Sequence, residues 1–157
     1  MNSLRRILLK SAGASGTLGL LIAAGLLKPT RVLASDWNRA AFTATTASDS
    51  LKAYGTPNPV EHREILISAA EIAENGAQVP IEVHSRIPGS QTIAVFVDRN
   101  PMPLAASMSF ANGALPYVRL QLKMAETSRV RAVVRTSDGK AYHASREIKV
   151  TLGGCGG

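Results

Sequence analysis

Three runs near the carboxyl end of the chain alternate apolar and polar residues with a period of two. Successive side chains of a β-strand point to opposite faces of its sheet, so this period predicts strands with one buried face. The dipeptide Asp138-Gly139 between the second and third runs is a hairpin signal. The apolar positions are Val118, Leu120, Leu122 and Met124, then Val130, Ala132 and Val134, then Ile148, Val150 and Leu152, all expected to point inward.

Earlier segments also favour strands, at 65–67, 79–83, 92–97 and 104–110. Pro80 cannot donate a ladder hydrogen bond, so its strand is expected near an edge. By periodicity alone 68–76 could be a helix, but it is short and its neighbours are strands. Roughly seven closely spaced strands without intervening helices predict an all-β antiparallel sandwich over 60–152.

A short helical arm is predicted over 35–59, ahead of the sandwich. Asp36 can cap a first helix, and a second turn or two is expected over 48–54. We expect Trp37 and Phe42 to pack on the main domain or on a partner, with core packing favoured. The residues with helical spacing are Trp37, Ala40, Ala41 and Ala44.

Residues 1–34 resemble an export signal. Arg5-Arg6 precedes a mildly apolar, glycine-containing stretch over 11–27, and Ala34 ends a small-residue cleavage motif. The arginine pair favours the twin-arginine (Tat) route over Sec. A transmembrane anchor is the alternative and fits less well. We therefore expect a periplasmic protein, cleaved after about Ala34, with no membrane association afterwards.

Removal of this segment changes the charge of the chain. The full sequence has 18 basic and 11 acidic residues, but 5 basic and no acidic residues lie in 1–34. The remaining 13 basic and 11 acidic residues leave a net charge of only +2. With aromatic residues at 4%, the composition does not indicate nucleic-acid binding.

The last five residues, 153–157, contain the single cysteine of the chain, Cys155, between two pairs of glycines. Glycine has no Cβ, so the segment is predicted to be a thin, flexible arm that follows the last strand without a linker. Extended, the three residues from Leu152 to Cys155 reach about 10 Å. The alternative is a frayed terminus that happens to carry a cysteine. We interpret Cys155 as a reactive site on a swinging arm formed by Gly153, Gly154, Gly156 and Gly157, able to enter the active site of another protein.

Other chemistry is weakly indicated. The three histidines lack ligand spacing, and no phosphate-binding glycine-rich turn joins a strand to a helix, so neither a metal nor a cofactor is predicted. Four arginines on two consecutive strands could form a basic strip. A solvated face is favoured, with a docking surface or an attraction for small oxyanions as the alternative. The residues are His62, His84 and His143, and Arg119, Arg129, Arg131 and Arg135.

Four stretches, 71–80, 95–104, 137–140 and 147–157, resemble SoxY, the sulfur-carrier subunit family of the periplasmic thiosulfate-oxidising system. The resemblance covers essentially the whole chain after residue 34, and the terminal Gly-Gly-Cys-Gly-Gly is its most specific part. It implies an immunoglobulin-like sandwich paired with a similar subunit, SoxZ, and a loop rather than a helix over 69–78.

The resemblance also implies that Cys155 carries sulfur intermediates covalently. The c-type cytochrome SoxXA would attach thiosulfate, the hydrolase SoxB would release sulfate, and SoxCD, a dehydrogenase found in some systems, would oxidise the remaining sulfur. The chain itself would be a carrier and not an enzyme. One alternative is an exported adaptor that forms homodimers through a Cys155 disulfide. Another is a ubiquitin-like carrier with a terminal thiocarboxylate, against which stand the export signal, the sandwich pattern and the lack of periplasmic ATP.

Overall fold

The computed structural model describes residues 37–152 of the chain. These residues contain two short helices and nine strands, joined by turns and loops. From Asn38 onward they belong to one compact unit. The predicted signal, 1–34, and the predicted arm, 153–157, lie outside the described residues. The elements are α1 (Arg39–Thr43), α2 (Ala47–Ala53), β1 (Val60–Glu61), β2 (Ile65–Ala69), β3 (Ile72–Asn75), β4 (Val79–Ser85), β5 (Ser90–Val97), β6 (Leu104–Ser109), β7 (Tyr117–Leu122), β8 (Ser128–Thr136) and β9 (Ala141–Leu152).

The strands form two sheets. The larger sheet has the order β1-β9-β8-β5-β6, with β3 also paired to β9, and the smaller sheet has the order β2-β4-β7. Every pair is antiparallel except β1 with β9 and β3 with β9, which are parallel. The predicted all-β, immunoglobulin-like sandwich is confirmed, with more strands than expected and two short parallel pairings.

The main core lies between the two sheets. The alternating apolar residues of β4, β7, β5 and β8 supply it, as the period of two predicts. Ile148 of β9 is fully buried in it, whereas Leu152 is 66% exposed, so the prediction that Leu152 points into the core is wrong. Leu152 is the last residue of β9 and lies four residues beyond Ile148, where pairing with β8 ends.

The helices cover the other face of the larger sheet and form a second core. Ala41 of α1 and Leu51 of α2 pack with Phe96, Leu104 and Val133 of that sheet. The continuous apolar run of β5 follows from this arrangement. Because both faces of β5 are covered, all five of its residues from 93 to 97 are fully buried.

The two helices are capped by side chains. The Asn38 side chain accepts a hydrogen bond from the Ala41 N–H at 3.1 Å, and the Thr46 hydroxyl accepts one from the Asp49 N–H at 3.1 Å. The predicted cap Asp36 is therefore wrong, and Asn38 takes that role. Trp37 is 62% exposed, so the favoured packing of Trp37 in the core is also wrong. Neither helix in residues 37–152 is long and apolar enough to cross a membrane.

Pro80 lies in the central strand of the smaller sheet, not in an edge strand as predicted. The reason is local, since β2 ends at Ala69, opposite Ile81. At Pro80 the strand has a neighbour only on the β7 side, where it pairs with Gln121. The missing N–H is thus tolerated because β4 has no β2 neighbour at its first two residues, Val79 and Pro80.

The segment 69–78 is not a continuous loop. It contains β3, which pairs in parallel with the last residues of β9. A strand of four residues with only one buried side chain, Ala73, has no periodic signal of its own. Its structure depends on the edge that β9 offers, which is a long-range contact that local sequence does not encode.

The β8–β9 hairpin turns at Asp138-Gly139, as predicted, with Gly139 at a φ of 81°. The Asp138 carboxylate accepts hydrogen bonds from the Thr136 hydroxyl at 2.5 Å and from the Lys140 N–H at 3.3 Å, and its other oxygen is 2.9 Å from the Lys140 ammonium. The hydrogen bond from Thr136, and after it those from Lys140, lower the pKa of Asp138 to about 2.

We predict that replacing Leu51 with alanine destabilises the fold. Leu51 is 5% exposed and joins α2 to the larger sheet, so the cavity and lost burial should lower the free energy of unfolding by about 2–5 kcal/mol. Urea unfolding measures this change. The control is Leu115→Ala, at a leucine that is 76% exposed, with an expected change within about 0.5 kcal/mol. Equal losses in the two variants would contradict the packing described for α2.

The Asp138 carboxyl in the β8–β9 hairpin should make the free energy of unfolding depend on pH under acidic conditions. Because the pKa of Asp138 is lower in the folded than in the unfolded chain, its ionised form stabilises the fold above pH about 4, and this contribution is lost as the pH falls to about 2. Carboxyl titration by NMR should show the lowered pKa directly. Comparison of urea unfolding at pH 5 and pH 2 should show a smaller acid loss in Asp138→Asn than in the wild type. An unshifted Asp138 titration would refute this account.

Candidate functional site

The predicted site residue Cys155 and its four flanking glycines lie outside the described residues. What the structure does describe is the end of β9 at Leu152, from which this segment continues. The residues that hold the end of β9 therefore decide where the predicted arm starts. We call residues 150–152 the arm root.

On one side, β3 and the residue after it hold the arm root. Ala73 pairs with Val150, and Asn75 pairs with Leu152. The Thr151 hydroxyl donates a hydrogen bond to the Glu74 carbonyl at 2.9 Å. Main-chain and side-chain contacts therefore hold this edge of β9 to its last residue.

Gly76 connects the arm root to the other sheet. Its N–H donates to the Leu152 carbonyl at 2.7 Å, and its carbonyl accepts from the Met124 N–H at 2.7 Å. Met124 is fully buried just beyond β7. One residue thus joins the end of β9 to the chain that leaves the smaller sheet.

On the opposite side, a side chain replaces the missing strand. Pairing between β8 and β9 ends at Ser128 and Ile148. Beyond it, the Thr127 hydroxyl accepts a hydrogen bond from the Val150 N–H at 2.9 Å and lies 3.4 Å from the Val150 carbonyl, to which it donates. One hydroxyl therefore serves both main-chain groups of Val150.

The segment 123–127 is itself held by the turn that follows β5. The Asn100 amide donates to the Lys123 carbonyl at 2.6 Å and accepts from the Ala125 N–H at 2.9 Å. The Arg99 guanidinium lies 3.7 Å from the Glu126 carboxylate and 3.5 Å from the Thr127 carbonyl. These contacts fix the backbone that presents the Thr127 hydroxyl to β9.

The four arginines of the predicted basic strip are not brought together. Arg119 is on β7 of the smaller sheet, and the other three arginines are on β8 of the larger sheet. Although β7 and β8 are consecutive in the sequence, they belong to different sheets. Arg119 pairs with Glu82 at 2.9 Å. Arg129 and Arg131 face Asp98 at 3.8 and 3.0 Å, and Arg135 donates to the Tyr54 carbonyl at 2.7 Å. The prediction of one strip is wrong, because each arginine has a local partner.

The side chains of the three histidines have different partners, although the His62 N–H donates a hydrogen bond to the His143 carbonyl at 2.8 Å. The rings of His62 and His84 pack edge-on against Tyr142 and Tyr117, at 5.1 and 6.2 Å between centroids. His143 Nδ1 is 3.0 Å from the Pro59 carbonyl oxygen. Among residues 37–152, no group of three or more His, Cys, Asp or Glu side chains is placed to hold a metal ion.

Thr127, Gly76 and β3 contribute to the arm root, and none of these contributions is predicted from the sequence. Thr127 is 23 residues from Val150, and Glu74 is 77 residues from Thr151. Neither separation leaves a local pattern. The main-chain and hydroxyl groups at the arm root hold the end of β9 in place.

A family model described as "Sulfur oxidation protein SoxY" matches residues 51–155, a range that includes Cys155. A search of curated proteins finds no match. Among solved structures, the sulfur carrier protein SoxY from Chlorobium limicola f thiosulfatophilum is 40% identical with a TM-score of 0.61, covering 70% of this chain and 96% of that one.

A superoxide reductase (neelaredoxin) from Ignicoccus hospitalis is 19% identical with a TM-score of 0.50, covering 56% of this chain and 80% of that one. At this identity the likeness concerns the fold alone. The family model spans about two thirds of the sequence, and the SoxY structure is matched over nearly its whole length. The chain therefore belongs to the SoxY family of sulfur oxidation proteins.

Proposed function

We propose that this protein is a covalent sulfur carrier in thiosulfate oxidation, with Cys155 as the attachment site. The observation that carries the proposal is that the family match extends to the only cysteine of the chain. The solved relative from Chlorobium limicola f thiosulfatophilum is described as a sulfur carrier protein. The last strand is held as far as Leu152, only three residues before Cys155.

The proposed chemistry begins with an oxidation. The Cys155 thiol and the outer sulfur of thiosulfate form an S–S bond. The thiol loses its proton to solvent, and the haem groups of a SoxXA-like cytochrome accept the two electrons. A SoxB-like hydrolase then adds water to the terminal sulfonate, releasing sulfate and leaving a sulfane sulfur on Cys155. Where a SoxCD-like dehydrogenase is present, it oxidises that sulfur and hydrolysis repeats. In this scheme the chain has no turnover of its own.

The carrier role also explains why an ordinary thiol suffices. An unperturbed cysteine has a pKa of about 8.5, so only a few per cent is thiolate at pH 7. We propose that the partner enzymes activate Cys155 within their own pockets, which would keep the thiol largely unreactive between visits.

The proposal includes a compartment and a partner subunit. The signal-like segment 1–34 supports Tat export to the periplasm with cleavage after about Ala34. Membership of the SoxY family supports a heterodimer with a SoxZ-like subunit. In the absence of that subunit, the single cysteine allows disulfide-linked homodimers, which is the basis of the rival adaptor function.

Intact-mass spectrometry of the protein from thiosulfate-grown cells should separate the two functions. We expect sulfite, sulfane-sulfur or thiosulfate adducts on the C-terminal peptide, and none in Cys155→Ser, which also loses thiosulfate oxidation. Cys155→Ser would spare a carrier that uses a terminal thiocarboxylate. Bare thiol and disulfide dimer alone would support the adaptor and refute the carrier.

The width of the arm should matter as well as its sulfur. We predict that Gly154→Phe with Gly156→Phe abolishes thiosulfate oxidation, because side chains beside Cys155 should prevent entry into a narrow enzyme pocket. The matched control is Gly154→Ala with Gly156→Ala, with a much smaller loss. Urea unfolding should be the same for all three proteins. Full-rate oxidation by the doubly substituted phenylalanine protein would show that a thin arm is not required.

A further inference from the structure

The last strand extends beyond the strand that pairs with it. The β8–β9 register ends at Ile148, whereas β9 continues to Leu152. Four residues, 149–152, therefore have no main-chain partner on the β8 side. The end of a strand that has lost one neighbour is where a sheet opens most readily, because few buried contacts oppose its release.

Two sets of contacts take the place of the missing neighbour. The Thr127 hydroxyl bonds both main-chain groups of Val150, and β3 with Gly76 holds the opposite edge as far as the Leu152 carbonyl. Thr151 adds its own hydroxyl to the Glu74 carbonyl at 2.9 Å. Beyond the β8–β9 ladder, the end of β9 is thus held by two threonine hydroxyls, by β3 with Gly76, and by the partly buried side chain of Val150, which packs against the main core.

We infer that Thr127 and Thr151 set the length of the carrier arm and so position Cys155 for delivery. This inference rests on the proposed carrier function for its purpose, but its structural part stands without it. With the arm root held, Cys155 is 3 residues beyond the last held residue, Leu152. Release back to Ile148 would make this tether 7 residues long and extend its maximal reach by roughly 13 Å.

A longer arm delivers its cargo less well. Once a tether is long enough to span its sites, the effective concentration of the tethered group falls roughly as the −3/2 power of the tether length. An increase from 3 to 7 residues between the last held residue and Cys155 therefore dilutes Cys155 at a docked enzyme about threefold to fourfold. The thiol would also sample directions that the held root excludes. Thr127 and Thr151 are therefore positioning residues, which act through the backbone of β9 and do not contact the cargo.

The choice of residue type allows a sharp test. A threonine hydroxyl both donates and accepts, which is what the N–H and carbonyl of Val150 require. Valine has nearly the same shape without the hydroxyl, and serine keeps the hydroxyl without the methyl group. Thr127→Val should therefore release Val150, whereas Thr127→Ser should hold it. The pair Thr151→Val and Thr151→Ser repeats the comparison on the β3 side.

The single native cysteine allows the arm to be measured directly. In the full chain, one spin label is placed on Cys155 and the other on Ser109→Cys, an exposed position on β6. Pulsed electron–electron double resonance gives the distribution of distances between the two labels. We expect Thr127→Val to broaden this distribution and move its upper limit outward, and Thr127→Ser to leave it unchanged. Hydrogen exchange of the Val150 amide should become about two- to tenfold faster in Thr127→Val, the factor that one hydrogen bond contributes.

A functional measurement on the same variants completes the test. Thr127→Val should lower the rate of thiosulfate transfer at limiting concentrations of the partner enzyme, while the reaction of Cys155 with a small thiol reagent stays the same. Identical distance distributions in wild type, Thr127→Val and Thr151→Val would overturn the inference. Should Thr127→Val fail to fold, the Thr151 pair decides the question. Failure of the carrier function itself is recognised separately, by the absence of sulfur adducts on Cys155.

Discussion

The structure depends on a large sheet that is buried on both faces. On one face, β5 and β8 pack against the smaller sheet, and on the other they pack against α1 and α2. Residues 93–97 and 132–134 are fully buried as a result. Because removal of these apolar side chains from water is the main favourable term in folding, the positions of β5 and β8 follow from it, and every other strand of the larger sheet takes its register from them.

The last strand, β9, connects the buried part of the larger sheet to the arm root. Its first part, 141–148, pairs with β8 residue by residue, and Ile148 is the last side chain that the main core holds fully. In its last part only Val150 still packs against that core, partly buried, and polar contacts with Thr127, Glu74 and Gly76 supply the rest of the support. The support of β9 thus changes from mainly hydrophobic to mainly hydrogen-bonded over its last four residues.

The rest of the described surface gives little sign of chemistry. The arginines that suggested a basic strip are divided between two sheets and each meets a local carboxylate or carbonyl. A superoxide reductase of 19% identity shares the fold, which agrees with the general rule that a fold hosts many functions and that function belongs to its site. The site proposed for this protein is Cys155, in the segment that follows β9 in the sequence.

The amino-acid sequence by itself determined the longer strands, the sandwich, the Asp138-Gly139 hairpin and the cysteine between glycines, because each depends on local period, turn chemistry or composition. Only the tertiary structure decided the partition of Arg119 from Arg129, the place of Pro80 in a central strand, the strand β3 and the support of the arm root by Thr127. The physical reason is the same in each case. These features arise from contacts between residues far apart in the chain, whose energies appear only when two sheets have come together.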